Sequence, residues 1–272
     1  MSASPTGTTR LAGVIGWPVR HSRSPDIHNA AYRALGLDWV YVALPVPPGQ
    51  VPAALDGMRA LAIEGLSVTM PHKAAVAAQV DRLTADAAAL GAVNSVHRDG
   101  DRLVGDNTDG GGFVDSLLEA GVDPAGRRCV VLGAGGAARA VVRSLAAAGA
   151  AQVTVVNRDA GRGAAAAELA GDRGAIGTAA DLGTAELLVQ ATPVGMGDDR
   201  TLAADPGVLP AGAVVADLVY HPLVTPLLAA AHDRGLQTVD GLGMLVHQAA
   251  RQLQAWTGHD APIDVMRAAA GA

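Results

Sequence analysis

The run Val130-Val131-Leu132-Gly133-Ala134-Gly135-Gly136-Ala137-Ala138-Arg139 joins an apolar, β-branched stretch to an alanine-rich one through a cluster of glycines. That order suits a strand, a tight turn and a helix over Ala137 to Ala148. Gly133 allows the turn, and Gly135 keeps a Cβ out of the path of a pyrophosphate. The helix then points the positive end of its dipole at the anion. Gly-Ala loops also cap helices with nothing bound, so it is the strand–turn–helix context that points to a dinucleotide. A second signal lies where Val153–Val156 ends, about two dozen residues after Gly133. An acidic residue there would accept hydrogen bonds from a ribose 2′-hydroxyl. This chain has Asn157-Arg158-Asp159, with Arg162 one turn further on. An arginine at that place can pair with a 2′-phosphate through forked, charge-assisted hydrogen bonds, which predicts NADP. Arg158 and Arg162 also suit a solvated helix face. Asp159 opposes the NADP reading, because a carboxylate repels a phosphate unless it turns away.

Three polar clusters stand in the first part of the chain. His21-Ser22-Arg23-Ser24-Pro25 sets two hydroxyls two residues apart at a helix start. Loop hydroxyls and a helix N-terminus could seat a substrate carboxylate. Ser24 equally suits an N-cap with nothing bound, with Pro25 in the first helical position. Thr69-Met70-Pro71-His72-Lys73 puts a lysine at the end of a strand, and Gly105-Asp106-Asn107-Thr108-Asp109-Gly110 brings two carboxylates to a domain junction. Both clusters are expected at sheet edges facing an interdomain cleft, where open α/β folds bind ligands.

The elements that must position these residues alternate. Strands are predicted at Leu11–Ile15, Val40–Val46 and Leu66–Met70, with helices at Pro25–Leu35, Pro52–Ile63 and Ala74–Val80. Ala92–His97 and Leu103-Val104 form a β pair across Arg98–Asp101. Such an order predicts a mixed, mainly parallel sheet covered by helices. A helix from Gly110 to Ala120 leads into the glycine loop. Further strands follow at Val153–Val156, Leu187–Gln190, Val214–Leu218 and Thr238-Val239, separated by helical or turn-rich segments. Leu242–Thr257 is amphipathic, with Leu245, Gln248, Ala249, Gln252 and Trp256 at helical spacing, and Met266 falls in a later helix. The expected division is a substrate domain of residues 1–109 with 242–272 and a Rossmann-type nucleotide domain of residues 110–241, with a cleft between them.

Among 272 residues, half are hydrophobic but only 3% are aromatic, so Ala, Val and Leu must build the core. A net charge of −6 argues against a nucleic-acid binder, so any phosphate must be held by local cations. Cys129 is the only cysteine, which excludes an intramolecular disulfide, and it suits a small buried hydrophobe. No apolar stretch suits a membrane span, and the first residues lack the apolar core of a secretory signal, which predicts a cytoplasmic protein. His21, His28, His72, His221 and His247 show no metal-ligand spacing, so no metal is expected.

Several motifs together resemble the shikimate dehydrogenase family over nearly the whole chain. They are Val14-Ile15-Gly16 with His21–Pro25, Val68–Lys73, Gly91-Ala92-Val93-Asn94-Ser95, Gly105–Gly110, Gly133–Arg139, Ala191-Thr192-Pro193 and Asp240–Gln248. The resemblance implies reversible, NADP-linked reduction of 3-dehydroshikimate to shikimate on the route to aromatic amino acids. It implies that Lys73 and Asp109 form the catalytic pair, Lys73 giving the proton that the substrate oxygen takes up and Asp109 orienting it. Ser22 and Ser24 would hold the substrate carboxylate. Thr69, Asn94, Asp109 and Gln248 would bind the ring hydroxyls, and Tyr220 would close the pocket. The cofactor would touch Gly133, Ala134, Gly135, Gly136, Ala137, Asn157, Arg158, Arg162, Thr192 and Gly241. The partner implied is a small molecule, with neither nucleic acid nor membrane, and the chain is expected as a monomer or homodimer.

The chain departs from the commoner family pattern at Ser67 for Asn, His72 for an aromatic residue, Gln190 for Asn, and Asp159 for a hydroxyl residue. None of these removes a group assigned to chemistry. The main rival is an NAD-linked quinate/shikimate dehydrogenase, whose members tend to carry an acidic residue after the second nucleotide-domain strand and Thr at the place of Ser24. A second rival is a non-catalytic NADP-binding regulator on the same scaffold, which would have no need of Lys73 and Asp109 together.

Overall fold

In the computed structural model, which describes residues 4–271, the chain divides into two units, Met1–Thr108 with Gln248–Ala272, and Asp109–His247. The boundaries at Thr108 and His247 differ from those expected at residues 109 and 241. The second falls inside a helix, a place that no glycine, proline or change of composition marks in the sequence.

The first unit begins with β1 (Arg10–Gly16), α1 (Ser24–Ala34), β2 (Trp39–Pro45), α2 (Val51–Ala60), β3 (Gly65–Val68) and α3 (Lys73–Ala77). It continues with β4 (Arg82–Leu83), α4 (Ala85–Leu90), β5 (Ser95–Asp99) and β6 (Arg102–Asp106). The strands form one mixed sheet in the order β2-β1-β3-β5-β6-β4. β1 runs parallel to β2 and β3, whereas β5 is antiparallel to β3 and β6. β3 is buried at all four positions, as a central strand covered on both faces must be. Ile15, Leu66, Val68, Val76, Val93, Val96 and Leu103 pack with Val51, Leu55 and Met58 of α2 as its core. Two elements lie outside those expected. The two-residue β4 is too short to show a periodicity, and the short α4 is held by its cap, Thr84, whose side chain accepts from the Ala87 N–H.

The second unit opens with α5 (Asp109–Glu119), β7 (Arg128–Leu132), α6 (Gly136–Ala147), β8 (Gln152–Val156), α7 (Ala160–Ala167) and β9 (Gly174–Ile176). β10 (Leu187–Gln190), β11 (Val214–Asp217), α8 (Pro226–Asp233), β12 (Gln237–Val239) and α9 (Gly241–Thr257) follow, and α10 (Ile263–Ala270) closes the chain in the first unit. All neighbours in this sheet are parallel, in the order β12-β11-β10-β7-β8-β9. This is the doubly wound, Rossmann-like order, in which the direction of winding reverses between β7 and β10. Val131, Val153, Val155, Leu187, Val189 and Val214 pack on one face with α5 and α6 residues such as Leu117, Val141 and Leu145. Leu188, Val215, Leu227, Leu228 and Ala231 build the other face. Cys129 is buried in the first of these clusters, and burial pushes its thiol up to about 12, so it stays a neutral packing group. Among the described residues no helix is long and apolar enough to cross a membrane.

Candidate active site

Register in the first sheet brings the polar clusters to one edge. β1 and β3 run parallel, so their carboxyl ends, followed by Ser22–Ser24 and by Thr69–Lys73, lie on the same side. β5 runs the other way, and its first residue Ser95 pairs with Ser67 of β3 and with Asp106, the last residue of β6. Asn94, before β5, and Asn107 and Thr108, after β6, therefore share that edge. The Val68 N–H donates to the Asn94 carbonyl at 2.8 Å, and the Asn94 N–H to the Asp106 carbonyl at 2.9 Å.

The helix α1 corrects the capping role open to Ser24. Ser24 is its first helical residue, and Arg23 occupies the cap position with no side-chain hydrogen bond. Ser22 Oγ instead accepts from the Ser24 N–H at 3.2 Å, satisfying one of the first orphan N–H groups. The reason is that Arg23 already has helical backbone angles (φ −81°, ψ −9°), which starts the helix one residue early.

Lys73 begins α3 and is half-buried, and its carbonyl accepts from the Val93 N–H at 2.9 Å. The imidazole of His72 beside it is buried against the Val46 carbonyl at 2.7 Å. Thr69, at the end of β3, is half-buried. The two carboxylates of the third cluster separate in role. Asp106 accepts from Thr84 Oγ1 at 2.6 Å and from the Asn107 N–H at 2.8 Å, so it clasps its own loop. Asp109 starts α5, in the second unit, and is buried.

A buried polar network joins the edge to α9, and most of it has no signature in the sequence. Tyr41 donates to Ser67 at 2.6 Å, and Ser67 to Gln252 Oε1 at 2.5 Å. Gln252 Nε2 donates to Gln248 Oε1 at 2.9 Å and lies 3.3 Å from both the Asn94 carbonyl and Thr108 Oγ1. The Thr108 N–H donates to Asn94 Oδ1 at 2.8 Å, and Asn94 Nδ2 to Thr108 Oγ1 at 3.0 Å. Burial raises the pKa of the Tyr41 hydroxyl, with the Ser67 and Ser24 hydroxyls acting weakly in the other direction. The ring of Tyr41 stacks on His28 at 4.3 Å, and His28 stacks on Trp256 of α9 at 5.2 Å. Gln252 is visible in the sequence only as a polar residue in the inward-facing helical spacing, and that misplaced polarity is the available signal.

In the second unit the parallel strands place four loops at one edge. Gly133 has φ +109°, and a Cβ there would meet the Ala191 carbonyl oxygen and Thr192 Cγ2 at 3.0 Å, so only glycine fits at the point where the winding reverses. A Cβ on Gly135 or Gly136 would meet no heavy atom within 4 Å, and Gly135, at the cap position of α6, offers no side chain to cap it. Ala134 is buried, and Ala137 is the second residue of α6. Open space in front of uncapped N–H groups fits a dinucleotide pyrophosphate.

At the end of β8, Asn157 Nδ2 donates to the Asp159 carbonyl at 2.8 Å. Asp159 caps α7, its Oδ1 accepting from the Arg162 N–H at 3.0 Å. The carboxylate that counted against a phosphate is thus turned to the helix. Arg158 and Arg162 are exposed, and among the described residues neither has an ion-pair partner. Gln190, fully buried at the end of β10, holds the next loop by donating to the Thr192 and Val194 carbonyls and accepting from Thr192. After β11, Asp217 accepts from the Val219 N–H at 3.0 Å and from Thr225 Oγ1 at 2.7 Å, fixing both ends of the loop that carries the exposed Tyr220. Burial raises the pKa of Asp217 against those two hydrogen bonds. A Cβ on Gly241 would lie 2.5 Å from the Leu218 carbonyl oxygen, so this glycine is required by close backbone packing whatever else it touches.

Residues 14–96 match the family model described as the shikimate dehydrogenase substrate binding domain. Residues 117–188 match that for shikimate / quinate 5-dehydrogenase, and residues 241–270 that for the shikimate 5′-dehydrogenase C-terminal domain. The chain is 47% identical over 276 residues to a protein of Geobacter metallireducens named shikimate dehydrogenase (NADP(+)), covering 96% of each. A crystal structure of shikimate 5-dehydrogenase from Thermus thermophilus with NADP(H) and shikimate is similar at 38% identity and a TM-score of 0.90, covering 97% of this chain and 99% of that one. Quinate dehydrogenase from Corynebacterium glutamicum with NAD is similar at 32% identity and a TM-score of 0.89, covering 96% and 98%.

Proposed function

We propose, since the chain belongs to the shikimate dehydrogenase family, that it catalyses the reversible, NADPH-linked reduction of 3-dehydroshikimate to shikimate in aromatic amino acid biosynthesis. The observation that carries this reading is the shared edge of the first sheet, where Ser22, Ser24, Thr69, Lys73 and Asn94 follow or precede adjacent strands. A small polyhydroxylated carboxylate needs this mixture of hydroxyls, amide and cation, and a non-catalytic regulator would not need Lys73.

NADPH, when bound, supplies the hydride. Gly133, Ala134, Gly135, Gly136 and Ala137 would hold its pyrophosphate, and Asn157, Arg158 and Arg162 its phosphorylated ribose. Thr192 and Gly241 stand in the same unit for further contacts. Ser22 and Ser24 hold the substrate carboxylate. Thr69, Asn94, Asp109 and Gln248 hydrogen-bond the ring hydroxyls, and Tyr220 covers the ring. The Lys73 ammonium gives its proton to the carbonyl oxygen as negative charge develops there, and takes it back in the reverse direction. Asp109 orients that exchange. The unit Met1–Thr108 with Gln248–Ala272 serves as the substrate domain and Asp109–His247 as the cofactor domain, in a cytoplasmic protein that is a monomer or homodimer and binds neither nucleic acid nor membrane.

Oxidation of shikimate and quinate by the purified chain, with NADP and with NAD, tests the reading through the near-ultraviolet absorbance of the reduced nicotinamide. Shikimate with NADP should be the fastest pair. Faster turnover of quinate with NAD would move the chain to the NAD-linked branch of the family, and no turnover of any pair would support a regulator.

A further inference from the structure

We infer that Tyr41, Ser67 and Gln252 are positioning residues that fix the Gln248 side-chain amide with its oxygen engaged inward, so that Gln248 reads its ligand as a hydrogen-bond donor. The inference rests on the proposal that Gln248 contacts the ring substrate. It assigns a direction to the buried network, and with it a requirement that the ligand present an acceptor oxygen at Gln248.

The direction follows from atoms that cannot change role. Gln252 has one side-chain atom near the Asn94 backbone carbonyl, at 3.3 Å, and a carbonyl oxygen only accepts. That atom is therefore Nε2, and the Gln252 oxygen faces Ser67. The Ser67 hydroxyl must then donate to Gln252 Oε1, at 2.5 Å, and its remaining capacity is to accept from the Tyr41 hydroxyl, at 2.6 Å. At the other end Thr108 Oγ1 lies 3.0 Å from the Gln248 backbone carbonyl and so spends its single proton there. It accepts from Gln252 Nε2 and cannot reverse that bond. The two N–H bonds of Gln252 Nε2 are shared among these acceptors, and because an amide nitrogen cannot accept, the Gln248 atom 2.9 Å from it must be the oxygen. Whatever Gln248 touches beyond this network, it touches mainly through its NH2 group.

The chain of bonds is built to hold. Ser67 is 7% exposed and Gln252 1%. Tyr41, the first donor, is clamped by its stack on His28, with the two ring planes within two degrees of parallel. Gln248 and Gln252 are four residues apart on α9, which puts them on one helix face. In a dry interior, a reversed amide would leave a buried donor or acceptor unpaired, a cost large enough to keep one orientation populated.

Gln252→Glu tests the direction with almost no change of shape. The introduced carboxylate still accepts from Ser67 but cannot donate to Gln248, whose amide should turn to give it an N–H and present its oxygen to the ligand. We expect the KM for shikimate to rise roughly tenfold at neutral pH, the scale of one lost hydrogen bond together with a mismatched group. The KM for NADP should not move. Lowering the pH protonates the new carboxyl, restores a donor and should bring the KM for shikimate back toward that of the wild type, which a merely structural role would not do. Ser67→Ala should raise the same constant, Ser67→Thr should restore it, and this pair decides the matter if the Glu variant does not fold. A KM for shikimate unchanged in all of these variants overturns the inference, as does a parallel rise in both Michaelis constants without pH dependence. Wild-type protein that leaves shikimate unoxidised rejects the proposed function, and the inference with it. Active wild type whose Gln248→Ala variant keeps its KM for shikimate rejects only the contact on which the inference rests.

Discussion

Arg158 stands at the carboxyl end of β8 with an exposed guanidinium, and Asp159 beside it is occupied in capping α7. Only NADP carries the 2′-phosphate that would engage this cation, through a charge-assisted contact worth about 1.5–3 kcal/mol. Arg158→Ala should therefore raise the KM for NADP roughly ten- to a hundredfold and leave that for NAD almost unchanged. Arg162→Ala should act in the same direction but less. Equal effects on both cofactors would mark Arg158 as a solvated residue and advance the NAD-linked reading. Asp159→Ala separates the neighbouring role: loss of the cap should cost about 1 kcal/mol in denaturant unfolding, with the ratio of the two cofactor constants little changed. Lys73→Ala should lower kcat for shikimate by roughly 10²–10⁴-fold, the scale of lost general acid–base catalysis, while NADP affinity stays put. Near-normal turnover in that variant would remove Lys73 from the mechanism.

Helices α5 and α6 meet through glycine. A Cβ on Gly110 would overlap Ser144 Oγ and the Ala140 carbonyl oxygen, and the latter is backbone that cannot swing aside. Gly110→Ala must push the two helices apart or distort α5, against a core in which Phe113, Leu117, Val141 and Leu145 are already packed. Overpacking of this kind costs about 1–3 kcal/mol, so thermal unfolding should shift down by several degrees. Ala at Gly57, where a Cβ meets nothing within 4 Å, is the control and should be neutral or slightly stabilising, because alanine is the better helix former. Similar melting temperatures for the two variants would show that α5 and α6 accommodate the methyl group.

The stability of the molecule should carry a signature of His28. Its imidazole packs against the rings of Tyr41 and Trp256, neither ring nitrogen has a hydrogen-bond partner among the described residues, and burial pushes its pKa from 6.5 down to about 3. The unfolded chain takes up this proton near pH 6.5, and the folded chain takes it up only near pH 3. The folded state is then favoured most above pH 6.5, and the advantage falls as the pH drops from there, at up to about 1.4 kcal/mol per pH unit. Thermal unfolding of wild type and His28→Phe, followed as the pH is lowered from 6.5, isolates the contribution because all other groups titrate alike in both. The wild type should lose stability more steeply with acid. Parallel slopes would show that the imidazole is solvated or partnered in solution.

Local chemistry and periodicity make much of this legible. The glycine loop, the strand ahead of it and the helix after it are readable because glycine, β-branched residues and alanine each act within a few residues of themselves. Leu187–Gln190 is legible at its observed bounds for the same reason. The tertiary structure decided what depends on residues far apart in the chain. β9 exists because its short, glycine-started segment finds β8 to pair with, and no signal of its own announces it. Ser24 enters α1 as its first helical residue instead of capping the helix. Asp159 is drawn to α7 and leaves Arg158 free of a neighbouring carboxylate. The bonds from Tyr41 through Ser67 to Gln252 span most of the chain's length, and each partner alone looks like an ordinary polar residue. A hydrogen bond needs both of its ends, and when 185 residues separate Ser67 from Gln252 only the fold brings them within 2.5 Å.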